Sequence, residues 1–341
     1  MAMSITPNTS PRVPNAAASP SRRWRDLALL GGLLLLVIVG LAGLAAATGW
    51  EETWAALISL SVIEIMVLLI LSLANYGTRS LRWHLFAHRL GLNTSLLQNT
   101  RHFLGGFAMS VTPGRVGELI RMRWLRRETG WSFERTAPLV LVDRAADLAA
   151  MAVLLAIALS LSTTGLKGGL PVVALALAAA IVVTRPNLLH MAAGIGHRIT
   201  ARKLPKLFAR IRRASQSLRA FSGPSIMLMA GALGMLGWLA EGYAFHLLLT
   251  WLGADIGLWM ALAIFIFSTL VGGLTGAPGG LGGAEATMVA LLALDGVPLE
   301  VAVPATLVIR VTTLWFAVLI GLAVFPAAEK HSMKAQNALE G

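Results

Sequence analysis

Ionisable side chains inside long apolar stretches are the first feature of this sequence that points to a specific chemistry. A charge at the centre of a bilayer costs about 2.5–3.5 kcal/mol on insertion scales, so it usually has a partner or a function. That function would be ion pairing, phosphate capture or proton transfer. The set comprises Glu64, Asp143, Arg144, Asp147, Glu241, Glu285 and Arg310.

Three members of this set are close together in the sequence. Asp143 and Asp147 are four positions apart and share one face of a helix, whereas Arg144 and Asp147 are three apart and can pair within it. Two interpretations are open here. The trio is either a salt bridge that only holds helices together or a polar group that serves a ligand.

Arg310 differs because no acidic residue occurs between Glu300 and Glu329. Its partner must therefore be an acid from another segment or an anionic ligand, and a guanidinium fork suits phosphate bidentately. Acids outnumber bases five to two in the whole set, which leaves room for a protonatable carboxylate and proton coupling.

Two proline-glycine turns interrupt apolar segments, at 92–130 and 257–299. Glycine tolerates unusual backbone angles, and a helix that starts after such a turn attracts anions at its N-terminus. A glutamate follows each turn, Glu118 and Glu285. A tight packing turn without a ligand is the alternative. The expected turn residues are Pro113, Gly114, Gly117, Pro278, Gly279, Gly280, Gly282 and Gly283.

Several reaction types have no support in the sequence. Cysteine is absent, and neither a phosphate-binding Gly-x-x-x-x-Gly-Lys-Ser/Thr loop nor a His-Glu-x-x-His motif occurs. His84 and His88 are the only histidines four apart, and the neighbouring Arg82 and Arg89 disfavour a metal there. We therefore expect no metal, no cofactor and no enzymatic activity.

The composition defines the environment of these residues. Of the 341 residues, 56% are hydrophobic and 13% are charged, about half the charged share of a soluble domain. Apolar runs of helical length then predict an all-α integral membrane protein. The net charge of +12 fits basic loops that face the anionic cytoplasmic leaflet, and we expect no nucleic-acid partner.

Six segments are predicted to cross the membrane, and two do not fit that pattern. The apolar run at 27–48 also resembles a signal peptide, which is the alternative for that segment. The stretches around the two Pro-Gly turns read best as re-entrant helical hairpins, since the last apolar piece of 257–299 is too short to span. The predicted spans are 27–48, 55–75, 136–161, 170–184, 225–251 and 301–325.

Lysine and arginine set the orientation. The segment 185–219 carries nine basic residues and no acid, which places it and both termini in the cytoplasm and the protein in the inner membrane. This segment is either an interfacial helix or a solvated loop. The predicted organisation is a disordered tail at 1–21, one transmembrane domain at 22–325 and a cytoplasmic tail at 326–341.

The chain also contains an internal repeat, with halves at about 22–165 and 166–325. The matches are Pro138 to Arg144 with Pro304 to Arg310, Pro113-Gly114 with Pro278-Gly279, and Trp83-His84 with Phe245-His246, at offsets of 162 to 166. The predicted spans invert the second half relative to the first. Inverted repeats with broken helices are typical of secondary transporters, so we expect Arg144 and Arg310 to face one central cavity, balanced by Glu118 and Glu285.

These motifs together resemble the flippase-like transmembrane domain of lysylphosphatidylglycerol synthases over about residues 25–325. The residues that carry the resemblance are Arg79-x-x-Arg82-Trp83, Thr112-Pro-Gly-Arg-Val-Gly-Glu118, Asp143-Arg144-x-x-Asp147, Pro278-Gly-Gly-Leu-Gly-Gly-Ala-Glu285 and Arg310. Asp143 stands where this family usually has glutamate.

The resemblance implies a flippase or scramblase whose substrate is an anionic or polar membrane lipid: a phospholipid, a hopanoid-type lipid or a polyprenyl-phosphate-linked lipid. Within it, Arg79, Arg82 and Arg115 join Arg144 and Arg310 as candidate phosphate ligands. The aminoacyl-transferase domain of full-length synthases is absent from these residues, so we expect no synthase activity. The alternatives are an enzyme or accessory factor that modifies a lipid-linked group, and a proton-coupled solute transporter. The lipid, the energy source and homo-oligomerisation are left open.

Overall fold

The computed structural model describes residues 50–112, 116–162, 169–185 and 223–340, and the isolated positions 187, 188, 191, 194, 195 and 221. The chain divides into two units at residues 42 and 43, and every described residue belongs to the second. The predictions for the tail at 1–21, the first span at 27–48 and most of the basic segment at 185–219 lie outside the described residues.

The described part of the chain is helical throughout and contains no β-strand, which confirms the all-α class. Short 3₁₀ turns at Gly106–Met109 and Pro278–Gly280 and a π turn at Val311–Trp315 interrupt the α-helices. The α-helices are α1 Trp50–Ser59, α2 Val62–Arg89, α3 Leu96–Gly105, α4 Val116–Thr129, α5 Phe133–Leu161, α6 Gly169–Thr184, α7 Pro224–Trp251, α8 Leu258–Leu274, α9 Gly283–Leu294, α10 Leu299–Arg310 and α11 Phe316–Glu340.

Among the described residues, three helical stretches are long and apolar enough to cross a membrane: α2, α7, and α10 with α11 as one stretch, Leu299–Leu339. Helices α6 and α8 are shorter and apolar. The protein is therefore a membrane protein. The six-span count and the re-entrant hairpins stay predictions.

The second predicted span, 55–75, is wrong at both ends. Helix α1 ends at Ser59, and α2 begins at Val62 behind a capping box in which Ser61 and Glu64 bond each other's backbone N–H groups. Helix α2 then continues to Arg89. Arg79 and Arg82 consequently lie inside a helix and are buried, rather than in a basic loop.

Helices α2 and α7 form the most extensive helix pair in the described chain. Gly237 permits their close approach, because a Cβ there would lie 2.7 Å from Thr78 Oγ1. Helix α5 packs on α6, α7 and α8. A large cluster of buried aliphatic and aromatic residues lies between these helices, and charged residues such as Arg82, Asp143 and Glu241 are buried as well.

The second Pro-Gly turn joins α8 to α9, which pack against each other. Gly279, Gly280 and Gly282 adopt φ values of 63°, 70° and 80°, which only glycine adopts readily. At Gly280 a Cβ would also lie 3.1 Å from the backbone carbon of Gly272. At the first turn, residues 113–115 lie outside the described residues.

The order of elements repeats along the chain. Helices α2 and α7 have 28 residues each and begin 162 positions apart, as do α3 and α8. A glycine with positive φ lies two residues past the end of each of α2 and α7, Gly91 at 90° and Gly253 at 81°. These matching elements agree with the repeat that the sequence predicts. The repeat and its inversion stay predictions.

The last helix extends well past Phe325. Residues 326–340, assigned to a tail from the sequence, continue α11, which packs on α3 and α4. Gly321 touches the 3₁₀ turn, where an added Cβ would lie 2.1 Å from Ala108 N. Further along, Glu329 receives hydrogen bonds from Trp124 and Arg127 at 2.8 and 2.7 Å. The end of the chain thus closes one side of the α3–α4 region.

Candidate functional site

A cavity of about 520 Å³ is lined by residues of α2 and of α4 to α11. Both halves of the repeat contribute to its wall. Most of the lining side chains are apolar, but the wall contains four arginines and two acids: Arg79, Arg121, Arg144, Asp147, Glu241 and Arg310. Arg144 and Arg310, the pair singled out by the repeat, line this one cavity.

Beside the cavity, a buried ion-pair cluster fastens α2 to α5. The Arg82 side chain is 0% exposed, and its Nη2 lies 2.6 Å from Asp143 Oδ1 and 2.7 Å from Asp147 Oδ1. Arg79 adds a 2.8 Å contact from its Nη2 to Asp147 Oδ2. The two aspartates therefore meet their main partners across helices, more than sixty positions earlier in the chain.

This cluster includes one of the predicted phosphate ligands. Arg82 does not line the cavity and donates to Asp143 and Asp147. A lipid phosphate would have to break buried ion pairs to reach it, which is costly. Arg82 thus holds two carboxylates in place, and phosphate binding by this residue stays a prediction.

Arg79 belongs both to this cluster and to the cavity wall. Its guanidinium carbon lies 5.1 Å from the ring centre of Trp238 and 5.8 Å from that of Phe103. Trp238 Nε1 donates to Asp147 Oδ1 at 3.3 Å. Nε of Arg79 is buried and has no hydrogen-bond partner in the described chain. The sequence contained no signal for the contribution of Trp238.

Arg144 is the most open of the ion-paired arginines in the cavity. Its side chain is 27% exposed, compared with 10% for Arg79 and 9% for Arg310. Its contacts with Asp143 and Asp147 are long, 3.3 and 3.5 Å. Its head group is therefore the most accessible of the three from the cavity.

Arg310 anchors the second Pro-Gly turn. Its Nε donates to Glu285 Oε1 at 2.6 Å, and its Nη2 donates to the Gly279 carbonyl at 2.9 Å. The π turn Val311–Trp315 follows directly, and Tyr76 donates its hydroxyl proton to the Thr313 carbonyl. π turns are frequent at functional sites. The predicted pairing of Arg310 with Glu285 is thus present in the structure.

Arg121 is a cavity residue that was not among the site residues predicted from the sequence. It is buried, and its guanidinium carbon lies 4.3 Å from the ring centre of Phe103, with Trp83 and Phe107 at 5.5 and 5.7 Å. An added Cβ at Gly106 would lie 2.3 Å from its Nε. These partners come from distant positions, so no local pattern indicates them.

Glu241 is a buried carboxyl in the cavity wall. Within the described residues it has no hydrogen bond or ion pair, although the charges of Arg79 and Arg310 act on it. It is the acid of the predicted coupling set that the structure leaves most available to a ligand or a proton.

Of the other predicted residues, one makes a local contact and two lie outside the described residues. Glu64, expected among the coupling groups, is a helix-capping residue whose Oε2 accepts from Ser61 N at 2.7 Å, and its part in coupling stays a prediction. Arg115 and the side chain of Glu118 lie outside the described residues. Among the described side chains, no group of three or more His, Asp or Glu is placed to hold a metal.

The cavity therefore combines cationic groups with apolar walls. Guanidinium groups bind phosphate through paired hydrogen bonds, and an apolar wall accepts hydrocarbon. Together they fit an amphiphile with an anionic head group.

Comparison with known proteins finds two kinds of match. Residues 28–321 match the family described as "Lysylphosphatidylglycerol synthase TM region". A protein of Methanothermobacter thermautotrophicus named "UPF0104 membrane protein" is 24% identical over 87% of this chain and 95% of its own length. A second match from that organism, with the same name, is 31% identical over 107 residues, covering 31% of this chain and 32% of the relative.

Proposed function

This chain belongs to the lysylphosphatidylglycerol synthase transmembrane-region family, and from that membership and its cavity we propose that it moves an anionic or polar lipid between membrane leaflets. It would act as a flippase or scramblase and leave the lipid covalently unchanged. The substrate would be a phospholipid, a hopanoid-type lipid or a polyprenyl-phosphate-linked lipid.

The observation that carries this proposal is the mixed wall of the 520 Å³ cavity. Arg144 and Arg310 come from the two halves of the chain and line it together with Arg79. In the proposal, Arg144 and Arg310 hold one phosphate from two sides. When the cavity is empty, Arg310 rests on Glu285 and Arg144 on Asp143.

Alternating access would follow from the repeat. We propose that the halves are inverted and that the segments around the two Pro-Gly turns are re-entrant hairpins. The equal lengths of α2 and α7 and the matching glycine ends support a repeat. Rocking of inverted halves around a fixed central site is a common route to alternating access.

Reconstitution tests the proposal directly. Purified protein is placed in vesicles that contain fluorescent phosphatidylglycerol, and the loss of outer-leaflet fluorescence on reduction is followed over time. Arg144→Ala removes a proposed phosphate ligand, and Arg126→Ala, which removes an exposed arginine of α4, is the control. The proposal predicts that the wild type and the control move lipid faster than Arg144→Ala does.

The same vesicles separate the alternatives. A new lipid species in the mass spectrum would favour an enzyme or accessory factor and contradict the proposal. Glu241 gives the solute transporter its specific support, since an available buried carboxyl suits proton coupling. Proton-driven uptake of a water-soluble anion without lipid movement would favour that function instead.

A further inference from the structure

We propose that the cavity opens sideways between α6 and the C-terminal end of α8, and that this mouth admits the acyl chains of an anionic phospholipid whose phosphate binds within. The inference rests on the proposed function and adds a route of entry and a place for the hydrocarbon part of the substrate.

The exposed part of the cavity wall marks the mouth. Among its lining residues, those exposed on the described surface are Leu175 of α6 and Gly273 and Leu274 of α8. Leu175 is 53% exposed and Leu274 is 63% exposed. A side chain that both lines the cavity and faces outward lies at its rim, so the opening is between these two helices.

The rim faces hydrocarbon rather than water. Helices α6 and α8 contain no ionisable residue, and Leu175 stands near the middle of α6. A residue at the middle of an apolar helix lies far from the interface when that helix is immersed in a bilayer. Few contacts join α6 to α8, so little packing must be broken to admit a chain.

The two kinds of lining residue call for different parts of one ligand. The rim helices α6 and α8 contribute apolar residues such as Val172, Ala176 and Leu270, whereas Arg144 and Arg310 line the same space. A free anion would gain nothing from an apolar rim, since its charge must stay solvated until it is paired. A phospholipid satisfies both kinds of residue, because its chains stay in hydrocarbon while its phosphate meets the guanidinium groups.

Single cysteines test this route, because the chain has none of its own. Leu175→Cys carries a nitroxide at the rim, and Ala174→Cys carries it on an exposed neighbouring position of α6 outside the cavity wall. Both are labelled in detergent and reconstituted in phosphatidylcholine vesicles with fluorescent phosphatidylglycerol. Leu274→Cys gives a second rim position if Leu175→Cys fails to fold.

The rim label is expected to slow lipid movement about tenfold relative to the Ala174 label, a factor that corresponds to about 1.4 kcal/mol in a barrier. Its spin relaxation should respond to oxygen and hardly to a water-soluble nickel complex. Equal lipid movement by the two labelled proteins, or strong relaxation by nickel, would overturn the lateral mouth. If the unlabelled wild type moves no lipid, the proposed function itself fails, which is a separate result.

Discussion

At the scale of single residues, the arginines of this protein differ in how closely acidic partners hold them. Arg82 is enclosed with Asp143 and Asp147, whereas Arg144 touches the same acids loosely and remains 27% exposed. Removal of one partner of a buried pair leaves an uncompensated charge, which is the costly event. The two arginines should therefore respond differently to the same substitution.

Arg82→Ala is expected to destabilise the protein by about 3–5 kcal/mol, because two buried aspartates lose their shared partner. Arg144→Ala should cost about 1 kcal/mol, as for a weakly held and partly exposed pair. Unfolding in detergent, followed by circular dichroism, gives both values. Equal destabilisation by the two variants would contradict the division into a structural and an accessible arginine.

Arg310→Lys should keep the contact with Glu285 but lose the hydrogen bond to the Gly279 carbonyl and the planar fork. We expect a folded protein with lipid binding about tenfold weaker, the loss of one charge-assisted hydrogen bond. Native mass spectrometry of retained phospholipid measures the change. The charge swap Arg310→Glu with Glu285→Arg is the decisive control: full lipid movement by the double variant would make this pair purely structural.

The residue scale also shows what the sequence could predict. It indicated Arg144, Arg310 and Glu285 because apolar neighbours make a charge conspicuous. It could not show that Arg82 forms ion pairs with two aspartates, since these pairs depend on which faces of α2 and α5 meet. The cage around Arg121 is a second example, because its aromatic partners lie on other helices.

At the scale of elements, close backbone approach fixes the position of α11. A Cβ at Gly321 would lie 2.1 Å from Ala108 N and 2.6 Å from the Phe107 carbonyl carbon. These are backbone atoms, so they cannot rotate away, and α11 must shift as a whole. Helix position here depends on one missing methyl group, which hydropathy does not reveal.

Gly321→Ala is therefore expected to destabilise the protein by about 1–3 kcal/mol through overpacking. Gly231→Ala in α7 is the matched control, since no heavy atom lies within 4 Å of an added Cβ there. Alanine favours helix over glycine, so this control should be neutral or slightly stabilising. Thermal unfolding midpoints compare the two, and equal midpoints would show that α11 adjusts without cost.

The stability of the junction between α3 and α4 is expected to depend on pH through Glu128. The Glu128 side chain is 3% exposed, and burial raises its pKa. Its carboxylate contacts His102 at 2.9 Å and Arg101 at 3.1 Å and accepts a hydrogen bond from Gln98. These partners outweigh burial, so the pKa of Glu128 lies below the ordinary value of 4.5. A lowered folded pKa stabilises the protein above the unfolded pKa, and this stabilisation is lost as pH falls through the folded value.

Glu128→Gln should accordingly cost about 2 kcal/mol at pH 7, and the cost should shrink as pH falls below about 4.5. Urea unfolding of the detergent-solubilised protein at pH 7 and at pH 4 or lower measures the difference between wild type and variant. Asp255→Asn, which removes an exposed acid, serves as the control for the loss of one surface charge. A difference that stays constant across this range would contradict the role of Glu128.

The bounds of some helices, but not of all, could be predicted from the sequence for a physical reason. Apolar length predicted α5, α6 and α7 nearly to their ends, since a membrane helix must satisfy its own backbone. The break before Val62 and the reach of α2 to Arg89 were missed. There, a capping box and buried partners override hydropathy, and neither changes the average polarity of the segment.

At the scale of the whole molecule, the ends of α2 and α7 carry the same structure twice. After α2, Gly91 N donates to His88 O and Leu92 N to Ala87 O, both at 3.0 Å. After α7, Gly253 N donates to Thr250 O at 3.1 Å and Ala254 N to Leu249 O at 2.8 Å. Every atom pair recurs 162 positions later. Duplicated capping of this kind identifies equivalent points in the two halves.

These equivalent points decide whether the repeat is inverted. Asn93 and Asp255 are both exposed and occupy the same place after α2 and after α7. In inverted halves the two positions lie on opposite sides of the membrane, whereas in parallel halves they share one side. The basic residues predict Asn93 inside and Asp255 outside.

Asn93→Cys and Asp255→Cys, in a chain without native cysteine, should therefore react with an impermeant maleimide from opposite sides of the membrane in cells and inverted vesicles. Labelling of both cysteines from one side would exclude inversion and, with it, the rocking of inverted halves around the Arg144 and Arg310 cavity.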